Sequence, residues 1–270
     1  MNLKIFRNVL CLTLGLITAI HGTAPEPLCY FAPPIGWEIT DPTTLSQSVQ
    51  ISFFKKQQGY CPSINLAIEK TDASQSEYLD AVKSIHKRDR TKCWRLLGKV
   101  DTAAGTAQLT EIDMSTKWGP ARLLQMILVK DGYAYILTAS ALKKETARYY
   151  KEFQDAFSSL HITKHLIGEI TDLEKRTSLE LKKEQFLSIW KEKSKPDQEK
   201  EWISFRNFVL ENFSDMGAYW QILFLKSIYL KMENPNEKNT YFLPDDHSDA
   251  LKPSLTCERS ADNNGADNFD

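Results

Sequence analysis

The sequence predicts an α+β fold: an antiparallel sheet with packed helices, followed by an all-α carboxy-terminal region. Three observations carry that expectation. Between residues 35 and 139, short runs alternate apolar and polar side chains between turn residues, the period of half-buried strands. Two stretches replace that period with helical spacing, one among the strands and one after them. Beyond residue 166 the composition shifts to Glu, Lys and Leu, and only helical spacing remains.

The elements follow in order. "IGWEI" (35–39) leaves the rigid pair Pro33-Pro34 as a first strand, and "SVQISFFKK" (48–56) turns Val49, Ile51 and Phe53 to one side. "SINLAIEK" (63–70) repeats the pattern with Ile64, Leu66 and Ile68. Ser74 and Glu77 are spaced as a capping box, and Tyr78, Leu79, Val82, Ile85 and His86 continue as a helix ending near Arg90. Strands return over 93–101, 105–115, 121–129 and 133–139. Asp131-Gly132 joins the last two, a pair that tolerates the positive φ angles of a type I′ hairpin turn. Thr146, Tyr150, Phe153, Phe157 and Leu160 then form one apolar stripe suited to covering a sheet.

The later helices are richer in aromatic residues. Leu173, Leu179, Leu181, Phe186, Ile189 and Trp190 mark one helix, and Pro196 stops it or opens the next, since proline is tolerated in a first turn. A second helix carries Trp202, Phe205, Phe208 and Val209; a third, over 216–232, is apolar nearly all round and therefore expected to be buried. Trp202, Phe205, Tyr219 and Trp220 are read both as a bundle core and as a possible partner surface, because exposed apolar patches mark interaction sites.

Both ends of the chain read differently. Lys4 and Arg7 precede an apolar stretch over 9–20 and the small residues Gly22, Thr23 and Ala24, the plan of a secretory signal over 1–24. The stretch is short for a membrane span. Residues 236–270 hold eight acidic against three basic side chains and no periodicity, a disordered acidic tail by composition. Between them lie an α+β domain over 25–166 and a helical region over 167–235. An exported chain, periplasmic or secreted, keeps Cys29, Cys61, Cys93 and Cys257, which allow three pairings.

Residues 29–162 resemble the PsbP/Mog1/DcrB-like family. "PPIGWEI", the hairpin "LLQMILVKDGYAYILTASA" and the closing helix "ETARYYKEFQDAFSSLHI" carry the resemblance. It implies a sandwich fold and an accessory or binding role, periplasmic in its bacterial members, with no catalytic set to transfer. In such a meander Cys29 and Cys61 are expected at one end of the sheet, with Cys93 brought there by the helix. A Cys29–Cys61 disulfide is the favoured pairing, and Cys257 stays free or pairs with Cys93 or another chain.

The chemistry classes narrow further. A formal net charge of −1 supplies no global field for nucleic acid. No nucleophile elbow, phosphate loop, paired-histidine zinc motif or dinucleotide fingerprint is present. His161 and His165 stand four apart but straddle the expected end of the closing helix, and His86 reads as a helix-surface residue. Lys87, Arg88, Arg90, Lys92 and Arg95 form a local basic cluster around Cys93, either a solvated helix end or a seat for an acidic partner. No cofactor and no metal are expected. The partner is expected to be another protein, with membrane contact only through an uncleaved signal segment and the oligomeric state open. The reading is an exported, non-enzymatic accessory module; the alternative is an envelope hydrolase or metal-dependent enzyme with a site assembled from scattered residues.

Overall fold

Alternation along the strands builds a seven-stranded antiparallel sheet in the computed structural model, which describes residues 28–46, 48–192 and 194–233. The signal expected over 1–24, the tail over 236–270 and Cys257 lie outside those residues. The strands are β1 (Leu28–Tyr30), β2 (Glu38–Ile39), β3 (Val49–Phe54), β4 (Ser63–Lys70), β5 (Lys92–Thr102), β6 (Gly105–Thr116), β7 (Gly119–Lys130), β8 (Tyr133–Leu142) and β9 (His161–Thr163). The sheet order is β2-β3-β4-β8-β7-β6-β5, and β1 pairs with β9 apart from it. The turn at Asp131 (φ 51°) and Gly132 (φ 80°) has the two positive φ angles of type I′.

The register assigns the two faces. Leu66 lies opposite Leu137, and Met126 lies on the other side of Leu137, all on one face; Ala67, Ile136 and Ile127 do the same on the other. Helix α2 (Thr146–Ser158) covers the first face with Tyr149, Phe153 and Phe157. Helix α1 (Gln75–Arg88) covers part of the second with Tyr78, Leu79 and Val82. Ser74 and Glu77 make the expected capping box. The Gln75 amide then forks onto β7: its Nε2 donates to the Ile127 carbonyl at 3.1 Å and its Oε1 accepts from the Val129 N–H at 2.7 Å. That side chain takes the place of a neighbouring strand where β6 no longer pairs with β7. His86 corrects the surface reading: it is buried, and burial followed by the Lys92 ammonium lowers its pKa.

Helices α3 (Leu173–Glu192), α4 (Lys195–Asn212) and α5 (Ala218–Glu233) follow. Pro196 sits in the first turn of α4, where its missing N–H costs nothing. Phe186 stacks on Phe205 at 4.5 Å between ring centroids, and Trp220 stacks on Phe224 at 5.3 Å. Tyr219 meets Phe31 and Phe53 edge-on at 5.5 and 6.2 Å, and the Trp220 indole donates to the Leu166 carbonyl at 3.2 Å. Sandwich and helices therefore share one continuous core. Trp202, Phe205, Tyr219 and Trp220 all belong to it, so the partner surface read from them is corrected: aromatic packing between the helices and against the sheet encloses all four.

The disulfide is corrected as well. Among the described residues Cys29, Cys61 and Cys93 are free thiols. Cys29 does not open the first strand of the sheet; it lies in β1, opposite Ile162 of β9, and is buried. Cys61 sits in the β3–β4 connection, where its thiol donates to the Gln57 carbonyl. The β1–β9 pairing is what separates the two.

Candidate functional site

The registers sort the connections between strands into two ends. Glu38 pairs with Phe54, Ser63 with Ser140, Ala121 with Leu142, Thr116 with Gly119 and Lys92 with Met114. Residues 31–37, 55–62, 89–91, 117–118 and 143–145 therefore emerge at one end of the sheet. Residues 40–46, 48, 71–74, 103–104 and 131–132 emerge at the other. The first set carries Lys55, Lys56, Arg90, Lys117, Lys143 and Lys144 against Asp89 and Glu145. The second carries Asp41, Asp72 and Asp131 and no cation. The sheet is polarised along its strands.

Two apolar side chains project from the basic end. Ile35 is 99% exposed, held out by Pro33-Pro34 on one side and by buried Trp37 on the other. The Trp37 N–H donates to the Pro34 carbonyl at 3.2 Å, and its ring meets Tyr149 and Phe153 edge-on. Gly36 makes the turn between them at φ 76°, a left-handed conformation that glycine adopts without strain. Trp118 is 42% exposed; Tyr60 supports it edge-on at 5.8 Å, and the Lys117 ammonium lies 4.2 Å from its ring centroid. Tyr60 is fixed in turn by donating its hydroxyl to Ser140 Oγ at 3.0 Å. The loop 55–62 links the two projections: a Cβ on Gly36 would lie 3.8 Å from Lys55 Nζ, and one on Gly59 3.7 Å from Trp118 Cδ1.

An ionic network stands behind this end. Arg122 donates two parallel hydrogen bonds to Asp113, at 2.8 Å from Nε and 3.1 Å from Nη2. Lys143 reaches the same carboxylate at 2.7 Å. Glu111 pairs with Arg95 and stands 3.2 Å from Arg122 Nη2. Arg122 first, then Lys143, holds the Asp113 carboxyl down to about 2 against the opposing cost of its partial burial. Three cations on two carboxylates leave a positive excess, and Arg95 and Lys143 are more than half exposed. Of the cluster seen around Cys93, Lys87, Arg88 and Arg90 are exposed at this end, while Lys92 pairs with Asp89 at 3.0 Å.

Elsewhere the polar groups offer less chemistry. Ser52, Asn65, Thr138, Gln125 and Thr110 form one register row across five strands, without an acid, base or cationic group. His161 lies in β9, stacked on Tyr30 at 5.1 Å, and His165 precedes a 3-10 turn, so they share no helix face. Among the described residues no group of three or more His, Cys, Asp or Glu is placed to hold a metal ion. No described helix is long and apolar enough to cross a membrane. On α3 and α4 the exposed large apolar residues are Leu173, Leu181, Ile189, Ile203 and Leu210. Sequence reasoning missed Ile35, Trp118 and these aliphatics as surface features; the turn composition "TKWGP" around Trp118 was the one available signal.

No family model and no curated protein matches the chain. Three solved structures are similar to it at low identity. LpqN of Mycobacterium tuberculosis, described as involved in cell envelope biogenesis, is 16% identical over 53% of this chain and 87% of its own, with a TM-score of 0.40. Cyanobacterial PsbP from Synechocystis is 13% identical over 54% of this chain and 98% of its own, at 0.37. The Ran-binding protein Mog1p of Saccharomyces cerevisiae is 14% identical over 51% of this chain and 96% of its own, at 0.35. PsbP and Mog1, named in the resemblance expected for residues 29–162, are among these structures.

Proposed function

We propose that the chain is an exported, non-enzymatic accessory module that binds another protein. One observation carries the reading: the α3–α4 pair has buried its aromatic residues inward and still leaves five large aliphatic side chains exposed. Ile203 and Leu210 are two turns apart on one face of α4, while Leu173, Leu181 and Ile189 step round α3. Exposed apolar surface of this kind favours a partner with an apolar face of its own. The signal-like plan of residues 1–24 supports export.

Because the helices share a core with the sandwich, point variants test this better than truncation. The full chain and the double variant Ile203→Ser, Leu210→Ser are crosslinked in cells and their partners identified by mass spectrometry. A protein captured by the wild type and lost in the variant is the expected result. Capture that is equal in both removes the helices as the binding element, and no reproducible capture overturns the protein-binding reading.

A further inference from the structure

We infer that the basic end of the sandwich seats on an anionic phospholipid surface. The inference is independent of the protein-binding reading, which rests on α3 and α4, and it goes beyond a membrane contact made by an uncleaved signal. Here the folded domain itself makes the contact.

Charge provides the first part of the argument. Six cations and two carboxylates occupy the connections at this end, and Arg88 is exposed beside them. Asp89, one of the two carboxylates, is already engaged by the Thr91 hydroxyl at 2.5 Å and the Lys92 ammonium at 3.0 Å. The connections at the opposite end offer three exposed aspartates, with only Lys70 and Lys130 at the adjoining strand ends, and the Lys130 ammonium is held by the Ala104 carbonyl at 2.9 Å. A negatively charged plane attracts the first end more strongly than the second, so the molecule approaches it strands-on, basic end first.

Apolar projection provides the second part. Ile35 and Trp118 are exposed among the cations of this end, Ile35 next to Gly36, whose Cβ position lies 3.8 Å from Lys55 Nζ, and Trp118 beside Gly59. Their supports are rigid: a proline pair and Trp37 for Ile35, Tyr60 for Trp118. Tryptophan with lysine beside it suits the headgroup layer, where the ring sits at the boundary and the ammonium group reaches phosphate. Stable attachment to a bilayer takes two signals, and shallow apolar insertion together with a polybasic patch supplies both.

Composition decides between a lipid surface and an acidic protein. Of the six cations in the connections, five are lysines and one is arginine. Lysine is a flexible point charge suited to a diffuse array of phosphates, whereas arginine favours paired carboxylates and is enriched at protein interfaces where lysine is depleted. Two arginines of this region are engaged by carboxylates, Arg122 on Asp113 and Arg95 on Glu111, as is Lys143 on Asp113, while Arg88 and Arg90 stay exposed. What faces outward is mostly lysine around two apolar tips.

The test uses the chain from Pro25 onward, which keeps every described residue and removes the signal. It is sedimented with vesicles of phosphatidylcholine alone and of phosphatidylcholine with a third phosphatidylglycerol. Binding to the anionic vesicles only, weakened between about 0.1 and 0.5 M salt, is expected. The variant Lys56→Gln, Arg90→Gln, Lys117→Gln, Lys144→Gln should lose at least about tenfold in partition. An equal charge loss elsewhere, Lys70→Gln, Lys195→Gln, Lys200→Gln, Lys231→Gln, should leave it within about twofold. Ile35→Ser with Trp118→Ser should weaken what binding persists at the higher salt. Equal binding to both vesicle types, binding to neither, or equal losses in the two charge variants overturns the inference. Retention on polyglutamate with no vesicle binding assigns this end to an acidic protein instead, and also overturns it. None of these outcomes bears on the Ile203 and Leu210 crosslinking result.

Discussion

The sandwich and the helical region separate inside from outside by different rules. In the sheet the rule is alternation: Leu66 and Ala67 are both fully buried, yet they face different layers, one under α2 and the other under α1. On α4 the rule is angle, and it is harder to see, because Trp202 is buried and Ile203 beside it is exposed. Helices with apolar residues all round do not declare which of them point inward. The difference teaches that a rich supply of aromatics marks a core before it marks an interface.

The largest expected effects test whether the two regions are one cooperative unit. Trp220→Ala removes a fully buried indole and its hydrogen bond to Leu166, at a cost of about 3–5 kcal/mol. Phe153→Ala on α2 should cost a similar amount from the sandwich side. Since Tyr219 joins the helices to Phe31 and Phe53, both variants should lower one shared unfolding transition, followed by circular dichroism and tryptophan fluorescence together. Separate transitions for sheet and helices would break the single-core picture.

The next effect is smaller and depends on pH. Asp113 has its carboxyl pKa lowered from 3.8 to about 2 by Arg122 and Lys143. A depressed folded-state pKa stabilises the protein above the unfolded value and loses that contribution as pH falls through the folded one. Asp113→Asn should therefore be less stable than the wild type by about 1–3 kcal/mol at neutral pH. The gap should close between about pH 4 and pH 2 in urea titrations at stepped pH. A gap that persists unchanged at pH 2 would show that geometry rather than charge holds the network.

Much of the sandwich was legible because its signals are local. Asp131-Gly132 names its own turn, Ser74 and Glu77 name a helix start, and Val49 to Phe53 names a strand within six residues. The β1–β9 pair was not legible: three residues on each side, with Cys29 meeting Ile162, leave no periodic trace. That omission placed Cys29 beside Cys61. The basic end was half visible. Lys87 to Arg95 is continuous in sequence, but Lys55, Lys56, Lys117, Lys143 and Lys144 join it only when the strand registers bring three more connections together. His86 was misread because, although it stands at helical spacing with Tyr78, Leu79, Val82 and Ile85, a polar side chain at a helix end was assigned to the surface, whereas it is buried.

Gln75 sharpens the comparison from the sheet side. Its amide serves a carbonyl and an N–H of β7 at once, whereas in the bundle the Gln221 amide donates to two carbonyls of α4, those of Val209 and Leu210. Gln75→Ala should cost about 1–3 kcal/mol by leaving both strand groups without that partner. Gln75→Glu keeps the acceptor for Val129 and loses the donor to Ile127, so it should fall between the alanine variant and the wild type in denaturant midpoint. An alanine variant as stable as the wild type would mean that water replaces the fork without loss.

The smallest effect is the most discriminating, because it divides two residues only two positions apart on one helix. Phe205→Ala should destabilise by about 3–5 kcal/mol, while Ile203→Ser on the same helix should stay within about 0.5 kcal/mol of the wild type. Serine lowers helix propensity slightly, and that sets the sign of the small change. If Ile203→Ser leaves stability intact yet abolishes a crosslinked partner, Ile203 contributes to recognition and not to folding. If it destabilises as Phe205→Ala does, the face is covered within the chain, and the surface assigned to a partner belongs to the core. Two positions along one helix thus tell the two roles apart without altering the rest of the molecule.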